Sequence, residues 1–76
     1  MEQKIKQLME IAFNTRLDGM GLSECTPENI GTWDSLTFLN LFTLIEESFN
    51  ISFDLDEIAK MSKGGNNIIT ILENKL

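Results

Sequence analysis

The sequence predicts an all-α chain of three main helices and one short one, with a long loop between helices I and II. Three observations carry this. Apolar residues recur at spacings of three and four rather than two along most of the chain. Glycine and proline fall in only two places, the stretch Gly19–Gly31 and the pair Gly64-Gly65. No two segments alternate as a strand pair would, although Ile51-Ser52-Phe53 is briefly extended in pattern. The 76 residues make one domain of 1–76, in which a chain this short buries only about 60% of the surface its unfolded form exposes. A large internal cavity is hard to sustain at that size.

Each element has its own signal. Ile5, Leu8, Met9, Ala12 and Phe13 form the apolar stripe of a first helix. From Arg16 to Trp33 the period breaks, and Gly19, Gly21, Pro27 and Gly31 mark a loop pinned to the core by Leu17, Met20, Leu22, Ile30 and Trp33. Proline suits a first helical position, so a short helical turn after Thr26-Pro27 is compatible with the pattern. An apolar run then extends from Leu36 to Phe49, with Phe38, Leu41, Phe42, Ile45 and Phe49 on one face and Leu39 and Leu44 on its flanks. This density makes it the most buried helix expected. Asn50 ends it, because Asn tolerates the left-handed cap conformation. Asp54 caps a short helix over Leu55–Met61, whose apolar turn is Leu55, Ile58 and Ala59. After the loose Gly64-Gly65 link, Ile68, Ile69, Leu72 and Leu76 define the last helix. No internal repeat is evident.

Charge and composition exclude most chemistry. The net charge of −6 is unevenly spread. No basic residue lies between Arg16 and Lys60, an interval holding Asp18, Glu24, Glu28, Asp34, Glu46, Glu47, Asp54, Asp56 and Glu57. A field of that sign repels nucleic acid and anionic lipid and attracts basic protein surfaces, although it also serves plain solubility. There is no histidine to activate Cys25 or to complete a zinc site. The lone cysteine fits a reducing compartment, and no apolar run is long enough to span a membrane, so a cytoplasmic location is expected. Counted from Asp54, the sixth and twelfth residues are Ala59 and Gly65, which rules out an EF-hand loop. Glu46 and Glu47 on a helix read as a solvated face. No catalytic residue and no metal site is expected.

The junction Gly31-Thr32-Trp33-Asp34-Ser35-Leu36 is what remains. Asp34 or Ser35 can cap the free amides of the central helix, which is the structural explanation for both. Leu36, however, falls opposite the Phe38/Ile45 face, among Asn40, Thr43 and Glu47. An exposed leucine beside a serine and edged by carboxylates is a contact surface in the making.

At these residues the chain resembles the acyl carrier proteins. Asp34-Ser35-Leu36 at the head of an apolar helix looks like their Asp-Ser-Leu signature. Ile45-Glu46-Glu47-Ser48-Phe49 matches the apolar, acidic and phenylalanine residues that follow it, and the acidic third helix from Asp56 to Met61 and the apolar last helix complete the order. The resemblance covers residues 1–76 as one carrier domain. It implies an acyl-carrier-like four-helix bundle, with 4′-phosphopantetheine on Ser35 delivered from coenzyme A by a phosphopantetheinyl transferase. It further implies that the arm holds acyl intermediates as thioesters and presents them to acyl-loading and acyl-using enzymes with basic docking patches. Asp34 and Leu36 would border the arm, and Glu46, Glu47, Asp54, Asp56 and Glu57 would form the docking surface. Charge reversal at Glu46 and Glu47 is expected to slow partner reactions and barely alter folding. Phe38, Leu41, Phe42, Ile45, Phe49 and Phe53 would line an interior where some members shelter the acyl chain, or simply pack as core. A monomer is expected.

Trp33, Thr37 and Asn40 depart from the pattern of housekeeping fatty-acid carriers and point to a free-standing member of a specialised, fatty-acid-like or polyketide-like pathway. Five phenylalanines and one tryptophan leave little room for a long buried chain, which implies a short or polar cargo. Two other functions stay open: a peptidyl or aminoacyl carrier of the non-ribosomal kind, and an unmodified acidic helical interaction module.

Overall fold

The computed structural model describes residues 1–76. It contains four α-helices and no strand: α1 (Glu2–Phe13), α2 (Ser35–Phe49), α3 (Leu55–Met61) and α4 (Gly65–Lys75). One 3₁₀ turn, Leu22–Glu24, lies inside the first loop, where no helical period is visible in the sequence. The segment after Thr26-Pro27 is a turn rather than a helix, closed by the Asn29 and Ile30 amides donating to the Thr26 carbonyl at 3.0 and 2.9 Å. α1 packs along α2, α3 packs on α4, and the 3₁₀ turn rests against α4. No helix is long and apolar enough to cross a membrane.

Helix ends are set by side chains. Asp54 accepts from the Glu57 amide at 2.8 Å, and Glu57 accepts from the Asp54 amide at 3.0 Å, a reciprocal cap that starts α3 at the expected residue. α1 and α2 stop in the same way. Asn14 and Asn50 take left-handed conformations, with φ of 51° and 55°. Their amides donate back to the Glu10 and Glu46 carbonyls. The carboxylates of the same two glutamates then accept the amides of Leu17 and Phe53, each at 2.8 Å. The pattern Glu-x-x-Phe-Asn-x-x-apolar therefore occurs twice, at Glu10–Leu17 and Glu46–Phe53. Contrary to the sequence expectation, the chain does hold a short internal repeat. It is a device for ending a helix and turning the chain back onto the core.

Seventeen buried side chains form one core. Leu17, Leu22, Ile30 and Trp33 anchor the first loop as expected, together with Cys25, while Met20 is only partly buried. The most buried helix is α1, not α2. α1 buries Ile5, Leu8, Met9, Ala12 and Phe13, whereas α2 buries only Phe38, Leu41 and Ile45. The apolar density of α2 misleads because Leu36 and Leu39 face solvent and Phe42 and Phe49 are half-covered. In α3 the core contact is Met61. Ile58 packs partly against the core, whereas Leu55 at the start of α3 and Leu76 after α4 are exposed.

Gly64-Gly65 is not a loose link. Both residues are buried, and the Gly65 amide donates to the Cys25 carbonyl at 2.8 Å. A Cβ at Gly65 would stand 2.7 Å from the Leu22 carbonyl oxygen. The absent side chain lets the start of α4 touch the backbone of the first loop.

Candidate functional site

Asp34 makes the head of α2. Its Oδ1 accepts the amides of Leu36 and Thr37 at 3.0 and 2.9 Å. Thr37 answers by accepting the Asp34 amide at 2.9 Å, and its hydroxyl donates to the Thr32 carbonyl at 2.7 Å. The Thr37 hydroxyl thus ties the first turn of the helix to the loop before it. This is the role of a residue that the sequence marked only as a departure, and the Asp-x-x-Thr spacing of a capping box was the signal available. The hydrogen bond from the Thr37 amide is the main cause that holds the Asp34 carboxyl below the usual carboxylate range.

Ser35 is the first residue of α2 and is exposed. Capping belongs to Asp34, and the Ser35 hydroxyl enters no hydrogen bond within the chain. Leu36 is 68% exposed beside it. Trp33 and Phe38, which flank Ser35 in sequence, belong to a row of aromatic rings. Trp33 stacks on Phe13 at 4.6 Å and on Phe38 at 6.1 Å, and Phe38 meets Phe42 edge-on at 5.6 Å. The row fixes the loop, α1 and α2 to one another at the point where Ser35 emerges.

The cap also occupies the amides at the start of α2. The Leu36 and Thr37 amides are taken by the Asp34 carboxylate and the Phe38 amide by its carbonyl. The helix dipole remains, but those amides are not free to bind an anion.

The five acids of the expected docking surface separate into two kinds. Glu46 holds the Phe53 amide. Asp54 and Glu57 cap α3, and Glu57 also pairs with Lys75 of α4 at 3.0 Å. The Asp54 amide bond first, and the Lys75 ammonium next, lower the Glu57 pKa. The stability that Asp34 and Glu57 lend by these bonds is full at neutral pH. It is lost as pH falls through their depressed values. Lys75 further lies 5.7 Å from the Phe53 ring centre, so it binds α4 to the α2–α3 connection. Only Glu47 and Asp56 are exposed and bonded to nothing else in the chain. Glu46 lies eleven residues along α2 from Ser35, about 16 Å at helical rise. No three acidic or thiol side chains converge as a metal-binding group would. Cys25 is fully buried, and burial pushes its thiol pKa up.

Glu46 and Glu47 therefore have different expected phenotypes. Glu46→Ala should lower unfolding free energy by about 1–2 kcal/mol, since it strands the Phe53 amide. Glu47→Ala should stay within about 0.5 kcal/mol of wild type. Urea unfolding followed by circular dichroism reads both. Equal effects would show that the carboxylate–amide bond adds nothing to stability.

Comparison of the chain with protein-family models, with curated proteins and with solved structures finds no match.

Proposed function

We propose that the chain is an acyl carrier whose arm, a 4′-phosphopantetheine, is attached at Ser35. The observation that carries this reading is an exposed serine hydroxyl, free of any bond within the chain, at the first position of a helix capped by its neighbour. A serine kept for capping would spend its hydroxyl on the backbone, and Asp34 has taken that work. The neighbouring Asp34 carboxylate is engaged by the Leu36 and Thr37 amides and its pKa is held below the usual range, which makes it a poor base, so the serine hydroxyl is inert until another enzyme activates it. In the attachment step Oγ attacks the phosphorus next to the pantetheine of coenzyme A. The Oγ–P bond forms as the pyrophosphate P–O bond breaks, 3′,5′-adenosine bisphosphate departs as the leaving group, and the serine proton passes to a base on the transferase.

The arm's thiol then carries acyl groups as thioesters. Glu47 and Asp56, exposed and uncommitted, suit basic patches on partner enzymes, with the exposed Leu36 adding apolar contact near the arm. Asp34, Glu46, Asp54 and Glu57 contribute charge to the same field while holding helix ends in place.

Intact mass after incubation with coenzyme A and a broad-specificity transferase tests the proposal. Wild type should gain one phosphopantetheine and Ser35→Ala none. Ser35→Ala should keep its unfolding free energy within about 0.5 kcal/mol, because the residue does no capping. Wild type that stays unmodified sinks the carrier reading and leaves an acidic interaction module in its place.

A further inference from the structure

We propose that the acyl cargo lies in a groove on the outside of the bundle, between α1 and α2, and not inside it; this rests on the carrier reading above. The interior offers no space. Phe38, Leu41, Ile45 and Phe53 belong to one continuous core, and neither of the two concavities of the molecule opens among them. The larger concavity is a groove of about 480 Å³ lined by Ile11, Ala12, Leu39, Asn40, Thr43 and Leu44. That volume is within the range of about 300–1,000 Å³ usual for small-molecule sites.

The lining states the chemistry of its occupant. None of the six side chains is charged. Thr43 donates its hydroxyl to the Leu39 carbonyl at 2.8 Å, which leaves the Asn40 amide as the one uncommitted polar group. Ile11 is 67% and Leu39 47% exposed, apolar surface that an aliphatic chain would remove from water. The fitting cargo is a neutral aliphatic acyl chain, with a carbonyl within reach of Asn40. The charge-free lining replaces the expectation of a polar cargo. The other concavity, about 250 Å³, is lined by Lys60, Asn66, Asn67, Thr70 and Ile71 on α3 and α4 and lacks this character.

Continuity with Ser35 selects the arm as the source of that chain. Leu36, Leu39, Asn40 and Thr43 fall at positions i, i+3, i+4 and i+7, a single stripe down α2 that begins beside the serine. Along the helix axis Leu39 is about 6 Å from Ser35 and Leu44 about 14 Å. A phosphopantetheine arm is a long flexible chain that covers this distance and brings its thioester onto the groove.

The test loads Ser35 from acetyl- and octanoyl-coenzyme A and compares amide chemical shifts of the two products with those of the free-thiol form. Octanoyl loading should shift Ile11, Ala12, Leu39, Asn40 and Leu44 and leave Ile45 and Phe53 in place, and acetyl loading should shift them far less. Ile11→Asp/Leu39→Asp, with its fold checked by circular dichroism, should lose these shifts and hydrolyse its octanoyl thioester several-fold faster. Shifts at Phe38, Ile45 and Phe53 would overturn the proposal, since the chain would then enter the core. So would an octanoyl form indistinguishable from the free thiol, or a loaded protein that sediments as a dimer with the groove covered by a second copy. A chain that takes no arm at all fails earlier, in the mass spectrum, and overturns the carrier reading together with the groove.

Discussion

Trp33→Ala should remove about 3–5 kcal/mol of folding stability, the range for deleting a large buried aromatic side chain. A chain of 76 residues holds in total about 4–11 kcal/mol. The variant should therefore be at the edge of unfolding at room temperature. Three elements depend on this one ring: it stacks on Phe13 of α1 and Phe38 of α2 and terminates the first loop. Trp33→Phe keeps an aromatic face in the row and should recover most of the loss. Far-UV circular dichroism during urea unfolding measures both variants. An alanine variant within 1 kcal/mol of wild type would show that the loop is anchored elsewhere, by Leu22 and Ile30 alone.

Gly65→Ala should destabilise by about 1–3 kcal/mol, against the direction of helix propensity. In an open helix the same change stabilises by about 1 kcal/mol. Here the new Cβ would lie 2.7 Å from the Leu22 carbonyl oxygen and 3.0 Å from its Cδ2. Backbone cannot yield as a flexible side-chain tip can, so either α4 or the 3₁₀ turn must shift, as in overpacked cores. Gly31→Ala is the control, since nothing lies within 4 Å of a Cβ there, and its stability should change by no more than about 0.5 kcal/mol. If the two variants melt together, the approach of α4 to the loop is slack and the packing argument fails.

Helix limits were legible in the sequence because single residues set them. Asp54 and Asn50 each act within a few positions of themselves, and both ends fall where the local rules place them. Burial was less legible. Counting apolar residues favoured α2, but the count does not say how wide the covered face is, and its Leu36 and Leu39 point to water. Glycine is ambiguous in another way: freedom and close approach leave the same letter, and only the position of Leu22 decides Gly65. The carboxylates of Glu10 and Glu46 act seven residues ahead, beyond local capping rules, so two acids adjacent in sequence turned out to have different work.

For the candidate site, the position of Ser35 and the exposure of Leu36 followed from the apolar pattern of α2. The division of labour at its head was harder to read. Asp34 and Ser35 are both competent caps, and the reciprocal bonds of Asp34 with Thr37, signalled only by the Asp-x-x-Thr spacing, give the role to Asp34. The groove between α1 and α2 was not legible at all, because it exists only once two separate helices lie side by side.

The aromatic row also gives the molecule an optical property. Trp33 is its only tryptophan and it has no tyrosine, so near-ultraviolet emission excited at the red edge arises from a single indole. That indole is nearly excluded from water and is two residues from Ser35. Its colour and intensity report whether the loop, α1 and the head of α2 remain in register. An enzyme that pries at this junction, or an event on the serine that loosens it, registers without any added dye. Light from anywhere else in the chain does not obscure the signal.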